Sequence, residues 1–496
     1  MRIYQSSAVR AVLTLAGMSE RAGGPDTDER PGLIGQAAIS LTAWTERWVP
    51  DAFIFALLAT AIVVGAALAW TPATAGQVID AWGGGFWSLI PFTMQMSLVI
   101  ITGHVLATSG PMRAVIRAIA GWPRTPRGAV ALVAFFAMAS SWFNWGFSLI
   151  FSAVLVREMA RRVPTVDYRA LAAASFMGLG SIWAQGLSGS AALQMATPGA
   201  LQPQIRDIVA AGGIVPGGMI PFTQTIFLWQ SLVSVAIEIA VVTLVMWLAA
   251  PPAGRARTAR DLGVDLTERE PVVVSPRDLP PGAWLEHSTI LPLFVVAIGT
   301  AYLVRYFMRV PEALNAITLD TVNLSFLLLG ILLHRTPARL MYAVQGATPA
   351  VWGVLLQFPF YAGIAAIITG THLSQKLASV FVGVSTTTTF PAIVALYSAV
   401  LGVFVPSGGS KWVIEAPYVM AAAHSLKVHL GWAVVAYDLG EALANLVQPF
   451  WMLPVLGMLG LRARDVMGFT FAVALVLTPV VLILVTLLGL TLGYPF

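Results

Sequence analysis

Residues 405–418 read VPSGGSKWVIEAPY, between the apolar runs AIVALYSAVLGVF and VMAAA. Pro406 and the paired glycines Gly408 and Gly409 cannot continue a lipid-facing helix. Non-helical backbone at membrane depth survives only inside protein or beside a watery cavity. Lys411 and Glu415 are expensive at that depth, and each marks a functional position. The stretch reads as the tip of a re-entrant hairpin presenting backbone groups, hydroxyls and one cation to a substrate. A surface loop between short helices is the plainer alternative, and the apolar flanks argue against it.

The whole chain supports a membrane setting. Its 496 residues are 57% hydrophobic and 10% charged, with mean hydropathy +0.80, whereas charged residues make up about 25% of soluble domains. The net charge of +5 reports orientation in such a chain, not a nucleic-acid partner. With no cysteine, disulfides, thiolate metal sites, haem attachment and cysteine nucleophiles are excluded.

Outward from the tip, the chain divides in two. Residues 1–32 are a polar cytoplasmic tail, and the tryptophan-rich stretch 33–51 reads as a helix lying in the interface. Spans follow at 52–70 and 86–108. Next, Arg113, Arg117, Arg124 and Arg127 stand before an apolar segment and Arg157, Arg161, Arg162 and Arg169 after it. A straight span of ~20 residues would put its ends on opposite sides. Arginine clusters at both ends place both in the cytoplasm. Residues 128–156 therefore read as an inward-facing hairpin with Ser140, Ser141, Asn144 and Gly146 at its tip. The apolar segment 171–198 is broken at QGLSGSA, which contributes Ser188, Gly189 and Ser190, and a plain span at 226–249 carries Glu238.

Residues 251–287, rich in arginine, acids and proline, form a flexible cytoplasmic linker. Spans then follow at 288–307, 319–333 and 351–369. A second hairpin at about 377–423 is flanked only by Lys376 and Lys427, so it faces outward. A broken span at 432–461 holds Asp438, Glu441, Asn445 and Gln448, and 466–492 is the last span. The halves 33–250 and 288–496 repeat one order with opposite sense. This is an all-α polytopic membrane protein with an inverted repeat, its binding site where broken helices meet at the midplane. The N-terminus is placed in the cytoplasm and the C-terminus outside.

Four segments carry a family likeness: WFNWGFSLIFSAVLVREMARR, LSGSAALQMATPG, FVPSGGSKWVIEAPY and NLVQPFWMLPVLGMLGLRARDVMG. In order and spacing the chain resembles the bacterial short-chain fatty acid transporters from about Leu33 onward. The resemblance implies uptake of acetoacetate, butyrate or a similar small carboxylate across the inner membrane, coupled to H⁺ or Na⁺. It also implies a homodimer and an elevator motion. One departure stands out: the family's tip carries a glutamine where this chain has Lys411, and a neutral polar residue where it has Glu415. These lie one helical turn apart, so they can pair. Contact with the substrate and an internal pair both remain open for Lys411, and its place after the SGGS break favours contact.

A short carboxylate needs donors for two oxygens and apolar walls for its tail. Hairpin tips and helix breaks supply backbone N–H groups and a positive helix end. Ser140, Ser141, Asn144, Ser188, Ser190, Ser407 and Ser410 add uncharged polar groups, with Gly146, Gly189, Gly408 and Gly409 shaping the tips. Unwound carbonyls there can hold Na⁺. Trp142, Phe143, Trp145 and Trp412 offer tail contacts or simple packing. Glu415, Glu441, Asn445 and Gln448 are the ion-coupling candidates. An anion channel, or a carrier for another small organic anion, is the rival reading. An enzyme is disfavoured, because GLSGS at Ser188 lacks a preceding strand and a base, and no cofactor signature is present.

Overall fold

The computed structural model describes residues 52–197, 200, 203–210, 218–251, 255–267, 280, 282–310, 316–348, 351–404, 408–448 and 450–496. The expected tail and interfacial helix lie outside the described residues. In chain order the helices are α1 (Ala52–Trp70), α2 (Ala75–Gly85), α3 (Ile90–Ala107), α4 (Gly110–Ile119), α5 (Pro126–Phe143), α6 (Trp145–Arg162) and α7 (Tyr168–Met177). A π-turn (Gly178–Ile182) and a 3-10 turn (Trp183–Gln185) then lead to α8 (Ser190–Ala196), α9 (Pro203–Ala210) and α10 (Trp229–Ala249). Next come α11 (Ala283–His287), α12 (Ile290–Phe307), α13 (Leu319–His334), α14 (Pro337–Ala347), α15 (Trp352–Gly370) and α16 (Leu373–Val384). The chain closes with α17 (Phe390–Phe404), α18 (Gly408–Ser425), α19 (Leu430–Asn445), α20 (Leu453–Leu459) and α21 (Ala463–Gly489). No strand occurs among the described residues.

Six of the described helical stretches are long and apolar enough to cross a membrane. The outward surface is apolar too: α12 exposes Ile290, Leu291, Phe294 and Tyr302, a face that water rejects and lipid accepts.

The first hairpin is α5 and α6. Thr125 caps α5 by accepting from Gly128 N. At the turn one residue serves both helices, since Asn144 ends α5 while its Oδ1 accepts from Phe147 N at 2.8 Å and starts α6. Ser148 Oγ then ties the arms by donating to Ala137 O at 2.7 Å.

The second hairpin is α17 and α18, joined by side chains along its length. Lys411 Nζ donates to Ser398 O at 2.6 Å near the tip, the Tyr397 and Tyr418 hydroxyls meet at 3.0 Å, and Thr387 Oγ1 donates to Leu426 O at the open end. The expected inward arm at 377–405 is not one helix. It breaks after α16 because Thr386 and Thr389 each accept the other's backbone N–H and cap α17. That threonine run ends one helix and begins another, a role that its own side-chain hydrogen bonding explains.

The two hairpins point in opposite directions, and α10 measures this. At its start Gln230 Nε2 donates to Thr491 Oγ1, beyond α21, and at its end Ala250 O accepts from Arg127 Nε, at the open end of the first hairpin. The open end of the second hairpin lies at the other face: Lys427 stands over the Tyr494 ring at 4.5 Å and Leu430 N donates to Pro495 O. Residues 255–267 of the linker are packed rather than loose. Arg157 Nη2 donates to Asp265 O at 2.8 Å and Tyr168 N donates to Arg257 O.

Close backbone approach holds α17 against α19. A methyl placed on Gly440 would stand 2.0 Å from Ala395 O, a small-residue contact of the kind that drives helix association in lipid. Gly440→Ala is expected to cost at least about 1–3 kcal/mol, read as a lowered thermal transition in detergent. Gly457→Ala, where nothing lies within 4 Å, is the matched control.

Candidate functional site

Residues of both hairpin tips and both helix breaks line one small cavity. The first hairpin contributes Trp145, and the first broken helix contributes Leu179, Trp183 and Ser190. From the second half come Gly408 and Gly409 of the tip, with Asn445 and Trp451 at the second break. Met96 of α3 and Phe358 of α15 close the wall. None of these lining residues is charged.

The tips are locked to the breaks by specific bonds. Ser188 Oγ accepts from Trp145 N at 2.9 Å, and Leu187 N donates to Trp142 O at 2.7 Å. That seat requires Gly186, where a methyl would stand 2.2 Å from Trp142 O. Across the halves, Gln194 Nε2 donates to Gly409 O at 2.8 Å, and within the second half Tyr437 Oη donates to Gly408 O at 2.7 Å. Asp438 holds the start of α8, accepting from Ala191 N at 3.4 Å and Ala192 N at 3.3 Å, where a carboxylate suits a helix N-terminus. Asn445 Nδ2 donates to Leu179 O at 3.0 Å, and Gln448 Nε2 donates to Asn445 Oδ1 at 2.7 Å.

Two donors are left over at the cavity. The indole Nε1 atoms of Trp145 and Trp183 are buried and make no hydrogen bond among the described residues. Their rings meet edge to face with centroids 6.4 Å apart, and Trp145 meets Trp451 at 5.3 Å. Buried donors are normally satisfied. Two unsatisfied ones on neighbouring lining residues suit a ligand with acceptor oxygens, while the ring faces suit an alkyl tail.

Behind the second tip lies a buried charged cluster. Lys411 Nζ stands 2.5 Å from Glu441 Oε2 and 3.9 Å from Glu415 Oε1, donates to Ser398 O and Oγ, and lies 5.0 Å from the Tyr437 ring centre. All three charged side chains are at most 1% exposed. Neither oxygen of Glu415 accepts a hydrogen bond among the described residues. Fully ionised, one ammonium against two carboxylates leaves a net charge of −1 inside the protein, which is costly without a further cation.

Of the residues expected at the site, Ser190, Gly408, Gly409 and Asn445 line the cavity, and Ser188 and Asn144 shape its first tip. Ser140 bonds back to Phe136 O, and Ser141 is buried beneath the tip. Gly146 and Gly189 allow close backbone passage. Ser407 lies outside the described residues, as does the side chain of Ser410. Lys411, expected at the substrate, turns instead into the helix bundle, and its near partner is Glu441 rather than Glu415. The reason is reach: Glu441 faces it from α19, while Glu415 lies one turn along its own helix. No motif singles out Trp183, Gln194 or Ser398, although Gln194 stands in the sequence as a polar residue between apolar ones.

The model of the family "Short chain fatty acid transporter" matches residues 33–488. A relative from Escherichia coli (strain K12) is 38% identical over 460 residues, 93% of this chain and 100% of the relative. A second, from Haemophilus influenzae, is 33% identical over 91% of this chain and 99% of the relative. Both carry the name "Putative short-chain fatty acid transporter". Two solved structures share the fold: the Alcanivorax borkumensis YdaH transporter, at TM-score 0.50 and 16% identity, and Neisseria gonorrhoeae MtrF, at TM-score 0.50 and 15% identity. These comparisons cover 91% and 92% of this chain and 97% of each of the others. The chain belongs to the short chain fatty acid transporter family.

Proposed function

We propose that the protein is a secondary carrier of short-chain carboxylates, butyrate or acetoacetate among them, moved together with H⁺ or Na⁺ and without catalysis. One observation carries the reading: two residues with indole N–H groups unpaired among the described residues, together with apolar rings, line an uncharged cavity between two opposed hairpin tips. The carboxylate takes the Trp145 and Trp183 donors, with Ser190 and the glycine backbone of the second tip beside it, and its tail lies on Met96, Phe358 and Trp451. An anion in a neutral buried site calls for a companion cation. The surplus carboxylate of the Lys411–Glu415–Glu441 cluster is the candidate that answers for it, and unwound carbonyls at the tips are a candidate Na⁺ site. A channel is a poorer fit, because the polar groups gather in two tips rather than in a ring along a pore.

The test is uptake of labelled butyrate and acetoacetate into liposomes holding the purified protein, with Na⁺ and H⁺ gradients imposed separately. Saturable, gradient-driven accumulation is expected. Linear, gradient-indifferent flux would favour the channel.

In the inner membrane the arginine-rich face, with Arg124 and Arg157, lies in the cytoplasm, and Lys376 and Lys427 lie outside. The chain has no cysteine, so single replacements report position cleanly. An impermeant maleimide on intact cells is expected to label Lys376→Cys and Lys427→Cys and to spare Arg124→Cys and Arg157→Cys. Labelling of Arg124→Cys and Arg157→Cys on different sides would dismantle the first hairpin. The homodimer implied by the family likeness completes the reading, and its mass in detergent tests it.

A further inference from the structure

Away from the cavity, α10 buries a carboxylate that nothing above employs. Glu238 is 1% exposed. Its Oε1 accepts from Gln185 Nε2 and from Ser234 Oγ, each at 2.9 Å. Its Oε2 makes no hydrogen bond among the described residues, and neither does Gln185 Oε1. Two buried acceptors therefore stand unsatisfied in one hydrogen-bonded pair.

Among the described residues no charged group stands by to neutralise it. The elements packed most closely on α10 are α5, α7, the π-turn and α21, and the 3-10 turn that reaches it through Gln185 carries no ionisable residue. Their ionisable residues lie near the linker: Arg127 over the Trp247 ring, Tyr168 bonded to Leu459 O, Arg169 paired with Asp167, and Arg464 and Asp465 at the start of α21. Trp247 is nine residues from Glu238 along the helix, roughly 13 Å at 1.5 Å per residue. A lone carboxylate at membrane depth is a costly feature that function usually explains.

We propose that Glu238 and Gln185 form a proton-binding site, separate from the carboxylate cavity, whose occupancy is read by the first broken helix. A proton taken from water on one side forms an O–H bond at Glu238 Oε2, and the same proton returns to water on the other side. The amide of Gln185 can serve both states. It donates N–H to the carboxylate and, turned over, accepts O–H from the carboxylic acid at Oε1. Gln185 ends the 3-10 turn that carries Trp183 at the cavity. Three residues on, Ser188 holds the Trp145 amide. Turning that amide therefore acts on the segment that carries one indole donor and fixes the other. Only the transport consequence rests on the carrier reading; proton binding at Glu238 stands apart from it.

Two measurements on the full-length protein decide the matter. In liposomes, Glu238→Gln is expected to keep butyrate counterflow while losing at least tenfold in accumulation driven by a pH gradient. Gln185→Met, which keeps the carboxylate but removes the bridge, is expected to do the same. Accumulation equal to the parent in both variants overturns the proposal, and so does loss of counterflow in a Glu238→Gln protein with a parental thermal transition. The second measurement is the infrared difference spectrum between acid and neutral buffer without substrate. The parent is expected to show a carboxylic-acid C=O band that Glu238→Gln lacks, and identical spectra overturn the proposal. Because this spectrum needs no substrate, it decides Glu238 even if butyrate is not carried.

Discussion

Lys411→Gln is expected to destabilise the protein by about 3–5 kcal/mol, the usual cost of removing one partner of a buried ion pair. The change strands Glu441, 2.5 Å from the ammonium, and leaves Glu415 facing it with no cation between them. Geometry predicts which second change repairs the damage. Glu441→Gln removes the carboxylate that had been directly paired, so Lys411→Gln with Glu441→Gln is expected to recover most of the loss. Lys411→Gln with Glu415→Gln still buries the Glu441 charge and is expected to recover less. The measurement is a double-mutant cycle on the thermal transition in detergent, where neighbours in one network couple by about 0.5–3 kcal/mol. Equal rescue by the two doubles would mean that Lys411 is shared evenly between the carboxylates. Uptake normalised to protein in the membrane adds a functional reading. If a rescued double folds but no longer accumulates substrate against a gradient, the cluster serves coupling and not only stability.

That partner choice marks where the sequence stops being legible. Spacing along one helix pairs Lys411 with Glu415, while the Glu441 contact joins α18 to α19 across 30 positions and has no local signature. The first hairpin was legible because charge decides it: arginines bracket an apolar segment whose centre holds Asn144, and that residue ends one helix and caps the next. The second hairpin is legible at its glycine tip but not at its base, where the threonine run 386–389 reads as lining a path or bending its own helix. Neither reading gives the observed role, a helix cap, in which Thr386 and Thr389 satisfy each other's backbone. At the first break, glycines and serines mark 185–191, yet the helix already loosens at the π-turn Gly178–Ile182. Gly178 there passes Ala137 O so closely that a methyl would stand 2.2 Å from it. A backbone contact of that kind leaves one glycine in the sequence and nothing else.

Trp145→Phe and Trp183→Phe are expected to weaken carboxylate binding together far more than any serine change at the tips. Each substitution keeps an aromatic ring and removes one N–H donor that has no partner among the described residues. A hydrogen bond to a charged group contributes about 1.5–3 kcal/mol, and 1.4 kcal/mol is tenfold in affinity. Each single change is therefore expected to raise the half-saturating butyrate concentration by roughly 10–150-fold. Stability should fall only modestly, by about 1–3 kcal/mol, because the smaller ring leaves a cavity beside Trp451 but no hydrogen bond to another described residue is lost. Ser188→Ala makes the contrast. It frees the Trp145 amide that Ser188 Oγ accepts at 2.9 Å, so it should disturb the tip and lower stability and transport together. The readouts are initial uptake rate against butyrate concentration and the thermal transition of each purified variant. If both phenylalanine variants keep the parental half-saturation, the indoles do not hold the carboxylate. The anion would then have to rest on Ser190 and the backbone of the second tip, and the site would shift by the width of the cavity.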